Sequence, residues 1–177
     1  HFADFSKSDL KNVRFDNSGC FNCNFDNIDI SEIKISENLK RYTNFAGSSF
    51  KNVDFRNWEH GKIDFSAKYG MGCGGEEWIL IPASDLTGSN FSGVDLKNIN
   101  FTRGKATDII NLSNVDFSFA DLSYHNLKHA KLVGANLSNS DLTGVDFTNA
   151  DLFGANLTGA NIKDAILDCH NHEICNK

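Results

Sequence analysis

From Ile110 to Leu167 the chain repeats one five-residue pattern twelve times without a gap. Its large apolar position is filled by Leu112, Phe117, Leu122, Leu127, Leu132, Leu137, Leu142, Phe147, Leu152, Leu157, Ile162 and Leu167. Two places before each stands a residue that is usually small, Ala in seven of the twelve cases. Between the two sits mostly Asp or Asn, as in Asp121, Asn136, Asp141 and Asn156. A helix needs apolar residues three and four apart and a strand needs them two apart, so a period of five is neither element continued. Within one unit the two apolar positions are two apart. They therefore share one side of a short extended segment, and the Asp or Asn between them points away. The second place after the large residue holds Gly134, Gly144, Gly154, Gly159, Asn114, Asn139 or Asn149, residues that turn a chain through left-handed conformations at low cost. A chain that alternates extended segments with turns, always keeping one side inward, winds into a tube whose coils bury their core only by stacking.

The run AKLVGANLSNSDLTGVDFTNADLFGANLTGANIKDA, residues 130–165, resembles the pentapeptide-repeat family, whose repeat is roughly A(D/N)Lxx. The resemblance implies an all-β fold, a right-handed quadrilateral β-helix with four pentapeptides per coil, so that residues twenty apart stack at about 4.8 Å. Extended along residues 1–168, with an irregular loop segment at 66–82, the pattern implies roughly eight to nine coils and a rod on the order of 40 Å long. Residues 169–177 are expected to form a C-terminal cap, because an open solenoid end exposes an unpaired strand edge.

The pattern is already running at the first residues, with Phe5, Leu10, Phe15, Cys20, Phe25, Ile30 and Ile35 in the large position. Phe45, Phe50, Phe55 and Phe65 keep the same phase, while Lys40 and His60 are misfits that predict an outward bulge of the wall. Stacking every twenty residues predicts a column of Phe5, Phe25, Phe45 and Phe65 and another of Phe15, Ile35 and Phe55. From Phe65 to Leu86 the spacing is one residue more than a coil, and GKATDII adds one more residue before Leu112. Both read as one-residue bulges at corners.

Composition sets limits on function. The chain has 177 residues, 40% of them hydrophobic, and a net charge of −6. No apolar run approaches the ~20 residues of a membrane span. The Lys and Arg clusters that track nucleic-acid phosphates are missing, so direct nucleic-acid binding is not expected. Gly70, Gly72 and Gly75 spell G-x-G-x-x-G, but repeats on both sides leave no room for the helix of a dinucleotide site, and a surface loop is the expected role. Cys20 and Cys23 occupy inward repeat positions and read as small buried hydrophobes, and Cys73 falls in the Gly-rich loop. Cys169 and Cys175 bracket a C-H-x-H-x-x-C in the tail. A disulfide is the candidate there, with free thiols or a zinc held by Cys169, His170, His172 and Cys175 as alternatives. No cofactor or resident metal is expected, and no spacing places a nucleophile beside a base and an orienting acid, so the chain does not read as an enzyme.

Surface therefore remains as the functional element. Phe119, Tyr124 and Phe153 are aromatic in outward positions, and Tyr69, Trp58 and Trp78 lie in or beside irregular segments. These six are the candidate contacts for a protein partner. His125, in a small inward slot, reads as a tolerated corner residue. The expected function is a non-enzymatic rigid repeat scaffold mediating protein–protein interaction. The resemblance implies two alternatives. One is a DNA-mimicking protein that binds topoisomerase (gyrase), as the family's quinolone-resistance members do. The other is the repeat domain of a larger bacterial effector. The tail cysteines and the start at His1 favour a periplasmic, lumenal or secreted setting over the cytoplasm.

Overall fold

A computed structural model describes residues 3–10, 23–29, 43–44, 48–56, 63–64, 68–71, 78–81, 85–94, 96, 99–101 and 109–175. Each pentapeptide in the regular run makes one short extended step and one turn. In the turns the amide of the small residue donates to the carbonyl of the preceding large one, as in Ala130 N to Leu127 O at 3.1 Å and Ala135 N to Leu132 O at 3.0 Å. The third turn residue has a positive φ, +59° at His129 and +68° at Gly134. That is the geometry of a type II turn, which explains why Gly and Asn recur at this place.

The residue between the two inward positions does more than point away. Its side-chain Oδ1 accepts the amide N–H two residues on: Asp116 from Ser118 at 2.9 Å, Asp121 from Ser123 at 3.0 Å, Asn126 from Lys128 at 3.1 Å, Asp141 from Thr143 at 2.9 Å. Asp and Asn are favoured because each supplies an acceptor at this reach, so the short side chain folds the corner locally.

Coils are joined by parallel backbone bonds. The large residue's amide donates to the next coil, as in Leu122 N to Asp141 O at 2.9 Å. The amide of the Asp or Asn donates back, as in Asp141 N to Ala120 O at 2.9 Å. Four ladders result, one per face in chain order. Face 1 has eight rungs, Asp4, Asn24, Ser49, Asp85, Asn111, Lys131, Asp151 and His170. Face 2 runs through Asp54, Asn90, Asp116, Asn136 and Asn156, and face 3 through Asp121, Asp141 and Asn161. Face 4 holds Asn126, Asp146 and Ile166, and earlier in the chain the short parallel strands β1 (Thr43–Asn44), β2 (Ile63–Asp64) and β5 (Ile99–Asn100). The chain is thus a β-helix of stacked coils.

Twenty-residue stacking holds throughout the regular run but fails in three earlier steps. Asn24 pairs with Ser49, Ser49 with Asp85, and Asp85 with Asn111. The predicted column of Phe5, Phe25, Phe45 and Phe65 is therefore corrected. Phe25 stacks on Phe5 at 5.1 Å and on Phe50 at 4.6 Å, whereas Asn44 and Asp64, which precede Phe45 and Phe65, pair with each other on face 4. Phe55 stacks on Phe91 at 4.2 Å, and Phe91 on Phe117 at 5.3 Å. The two one-residue bulges are corrected as well. The step from Asp64 to Asp85 is a corner enlarged by an antiparallel hairpin, β3 (Lys68–Met71) and β4 (Trp78–Ile81). The step from Asn100 to Asn111 enlarges the same corner, between faces 4 and 1, by a shorter insertion. Phe15, Cys20, Ile35, Lys40 and His60 lie outside the described residues.

The core is a single apolar column. Leu86, Phe91, Leu96, Leu112, Phe117, Leu122, Leu127 and Leu132 are fully buried, as are the small positions Val115, Ala130 and Ala135. Where Ser fills an inward slot its hydroxyl is bonded: Ser89 Oγ donates to Phe50 O at 2.7 Å, and Ser140 Oγ to Leu137 O at 2.6 Å. Stacked and edge-on rings add roughly 0.5–1.5 kcal/mol per pair beyond the area they bury. The Asx bond gives a direct test. Asp116→Ala removes the acceptor for Ser118 N and for Asn136 Nδ2 and is expected to cost about 1–2 kcal/mol in chemical denaturation. Asp116→Asn keeps the same oxygen and should recover most of that loss.

Candidate interaction surface

Outward positions are set by the corners. Phe119 and Tyr124 occupy the third turn position, at φ +58° and +59°, where Asn114, Asn139, Asn149 and several glycines stand on other corners. Left-handed backbone costs a residue without glycine's freedom or an Asx side chain about 1–2 kcal/mol. Phe119 is 67% exposed and Tyr124 79% exposed, so burial does not offset that cost. Phe119 marks the corner between faces 2 and 3, and Tyr124 the corner between faces 3 and 4. Tyr124 lies along its corner toward the next coil: a Cβ placed on Gly144 would meet its Cδ1 at 2.7 Å, so only glycine fits beneath the ring.

Phe153, 64% exposed, follows Leu152 on face 1, and its carbonyl accepts from Gly134 N at 2.8 Å. It therefore stands at the corner between faces 1 and 2, two coils on from the Phe119–Tyr124 pair and one corner from that of Phe119. Tyr69 and Trp78 belong to the hairpin, where Tyr69 pairs with Leu80 and Met71 with Trp78. Trp58, Cys20, Cys73, Gly72 and Gly75 lie outside the described residues, and Gly70 is within β3. The five candidates within the described residues thus do not form one patch. Phe119 and Tyr124 flank face 3, Phe153 stands at the corner between faces 1 and 2, and Tyr69 and Trp78 belong to the hairpin at the enlarged corner.

Cys169 and Cys175 are disulfide-bonded with Cα atoms 5.0 Å apart. The tail they close lies on the last coil: His170 pairs with Asp151, and His172 Nε2 is 3.1 Å from Ala155 O. Cys23 is buried and disulfide-bonded too, which corrects its reading as a buried thiol. Past Asn156 the large positions Leu157, Ile162 and Leu167 are only partly buried, and Ile166 is 50% exposed. His125 fills its inward slot by placing Nδ1 3.0 Å from Leu122 O and Nε2 3.1 Å from Leu96 O, with its ring 5.8 Å from Phe101. Those contacts tie two coils together. Among the described residues no group of His, Cys, Asp or Glu could hold a metal ion, and no helix is long and apolar enough to cross a membrane.

Charge is unevenly balanced between faces. Asp54 is paired with Arg56 at 2.6 Å, Asp85 with Lys51 at 3.3 Å, and Asp146 with Lys128 at 3.0 Å. Among the described residues Asp4 and Asp151 on face 1, Asp116 on face 2, and Asp121 and Asp141 on face 3 have no cation paired with them, and of these only Asp121 and Asp141 are rung partners.

Eight copies of the pentapeptide repeat are recognised, over residues 83–103, 110–149 and 130–168, and by them the chain belongs to the pentapeptide-repeat family. No curated protein matches it. Among solved structures it is similar to HetL, a pentapeptide repeat protein involved in heterocyst differentiation regulation in the cyanobacterium Nostoc sp. strain PCC 7120. That match has 20% identity over 93% of this chain and 60% of HetL, with a TM-score of 0.32. It is also similar to a pentapeptide repeat protein of the Arabidopsis thaliana thylakoid lumen, at 18% identity over 73% of this chain and 66% of that one, TM-score 0.35. A third is QnrB1, a plasmid-mediated fluoroquinolone resistance protein, at 18% identity over 95% of this chain and 87% of that one, TM-score 0.38. The chain therefore spans about 60% of the length of HetL and 66% of that of the thylakoid-lumen protein.

The turn-forming carboxylates give a pH signature. Hydrogen bonds from the Thr143 side chain and amide hold Asp141 below the ordinary 3.8, and those of Arg56 do the same for Asp54. At Asp146 partial burial works the other way and is outweighed by Thr148 and Lys128. Folded values below the unfolded one mean a contribution fully present above the unfolded pKa and lost as pH falls through the folded value. Denaturation midpoints are expected to stay level from pH 8 to about 5.5 and to fall below about pH 4, near the unfolded carboxyl values. A decline that begins near pH 6.5 would instead assign the dependence to histidine.

Proposed function

We propose that the protein is a non-enzymatic rigid scaffold that binds a protein partner through exposed corner aromatics, with Phe119, Tyr124 and Phe153 as contacts. The observation that carries this reading is the placement of Phe119 and Tyr124. Each stands in a left-handed turn position where Asn or Gly folds more cheaply, and each is mostly exposed, so its presence serves something other than the fold. Tyr69, Trp58 and Trp78 are the further candidate contacts, Tyr69 and Trp78 in the hairpin strands and Trp58 outside the described residues. A stiff column of stacked coils has little means of closing over a substrate, which supports binding over catalysis.

A gyrase-binding duplex mimic is the runner-up. It calls for acid running continuously along the rod, whereas Lys51, Arg56 and Lys128 neutralise acids on three of the four faces. A supercoiling assay with purified gyrase separates the two readings. Residues 169–177 act as the cap of residues 1–168 in this proposal, supported by the disulfide and by the tail's bonds to Asp151 and Ala155. Disulfide-bonded cysteines in two separate segments, Cys23 near the start and the pair Cys169–Cys175 in the tail, support a periplasmic, lumenal or secreted setting, since such bonds persist in oxidising compartments.

Photo-crosslinking residues placed singly at Phe119, Tyr124 and Phe153, with Asn139 and Asn149 as controls, test the scaffold reading in the native source. A discrete adduct confined to the aromatic positions is expected, and labelling equal to that at the control corners would refute the reading. Phe119→Asn and Tyr124→Asn are expected to leave the thermal midpoint unchanged or higher. Immediate acid-quenched alkylation of native protein should find Cys169 and Cys175 blocked, and two reactive thiols there would overturn the compartment assignment.

A further inference from the structure

We propose that face 3 of the regular coils, with Asp121 and Asp141 down its middle and Phe119 and Tyr124 at its edges, docks an arginine-bearing cationic segment of the protein partner. The proposal rests on the scaffold reading and adds the site and the chemistry of what it takes.

The first support is the charge left on this face. The turn chemistry puts carboxylates on every face. Each of the other three holds an ion pair, Lys51 on Asp85, Arg56 on Asp54 and Lys128 on Asp146, and the carboxylates there without one among the described residues, Asp4, Asp116 and Asp151, have Asn, Lys or His on the adjacent rungs. On face 3 the carboxylates of Asp121 and Asp141 stand on adjacent rungs, about 4.8 Å apart along the axis, with no paired cation among the described residues. Among the described residues the side-chain bonds they accept all use Oδ1: from Ser123 N to Asp121, and from Thr143 N at 2.9 Å, Thr143 Oγ1 at 2.6 Å and Asn161 Nδ2 at 3.3 Å to Asp141. Those bonds fix both side chains, so a cation meets prearranged oxygens, and two parallel like charges are relieved by its arrival.

Aromatic edges form the second support. Phe119 and Tyr124 occupy the two corners bounding Asp121, and the Tyr124 ring runs down its corner to Gly144, beside the coil that carries Asp141. A planar guanidinium can pair with a carboxylate through two N–H groups and stack on an adjacent ring, which an ammonium does less well. Both insertions leave the coil at the corner between faces 4 and 1, diagonally across from Phe119. Charge complementarity therefore selects a cationic occupant, and the rings select arginine over lysine.

The test uses the full chain and a fluorescein-labelled nona-arginine peptide, read by fluorescence anisotropy at low and at physiological salt. Asp121→Asn with Asp141→Asn removes both charges and keeps the Oδ1 acceptors, as Asn126 and Asn136 already do in the same slot. Asp116→Asn with Asp151→Asn makes the same change in net charge on faces 2 and 1. Phe119→Asn with Tyr124→Asn removes the rings and suits the turn geometry. Expected are a tenfold or greater loss of affinity for the face 3 pair, at least fivefold for the aromatic pair, and under twofold for the control pair, with thermal midpoints preserved. A nona-lysine peptide should bind more weakly than nona-arginine. Equal losses for the face 3 and control pairs would mean diffuse attraction to net charge and overturn the proposal, as would no binding by the parent chain or undiminished binding by the aromatic variant. Specific crosslinks at Phe153 alone would leave the scaffold standing while removing face 3 from it.

Discussion

A single side-chain oxygen, accepting the amide two residues further on, makes this chain turn every five residues. Asp4, Asn24, Asp54, Asp85, Asn90 and each Asp or Asn slot of the regular run from Asn111 to Asn161 make that bond. It sets the corner before any coil has a neighbour, because acceptor and donor lie in the same pentapeptide. Everything above that level depends on the corner. Turned segments present their large and small apolar residues to a common axis, and the parallel ladders form because successive corners bring the same backbone groups over one another. Lys131 and Ile166 fill the slot without such an oxygen; Lys131 stands between Asn111 and Asp151, whose corners are already set, and Ile166 on Asp146, which sets its own.

The core follows from stacking and not from any one layer. Each coil alone would leave Leu122 or Leu142 half in water; between two neighbours both are fully buried. The rings of Phe5, Phe25 and Phe50 continue into Leu86, Leu112 and Leu132 down face 1, so the packing passes from flat ring contacts to branched aliphatic ones along the rod. At the last coils this shielding runs out, and Leu157, Ile162 and Leu167 show it by their partial exposure.

Much of the repeat unit was legible in the residues. The inward pair, the turn position with its Gly and Asn, and the twenty-residue rise of the regular run all follow from periodicity. What periodicity could not deliver is which face a residue lies on. Inserting whole pentapeptides leaves the phase unchanged, so the 25-residue step from Asn24 to Ser49 is invisible to it, and Phe45 reads as the successor of Phe25. The 36-residue and 26-residue steps beyond it each leave a remainder of one, and therefore read as one-residue slips. For the surface, the outward aromatics were visible at Phe119 and Tyr124, but their backbone cost needed the φ values. The contrast between paired Asp146 and unpaired Asp121 needed coordinates, because every such Asp looks alike in the repeat.

Both enlarged steps open at one vertex, between faces 4 and 1, while the other corners of the regular coils keep their two-residue turns. The tube therefore has a seam. Along it the chain can lengthen by six residues or by sixteen and still return to the same ladder, because a departure there delays the next rung without displacing those already laid. A foreign loop grafted at this vertex in the regular coils, after Leu127 or Phe147, would inherit the same tolerance. The same insertion beside Phe119 would interrupt corners that keep their two-residue turns throughout the regular coils.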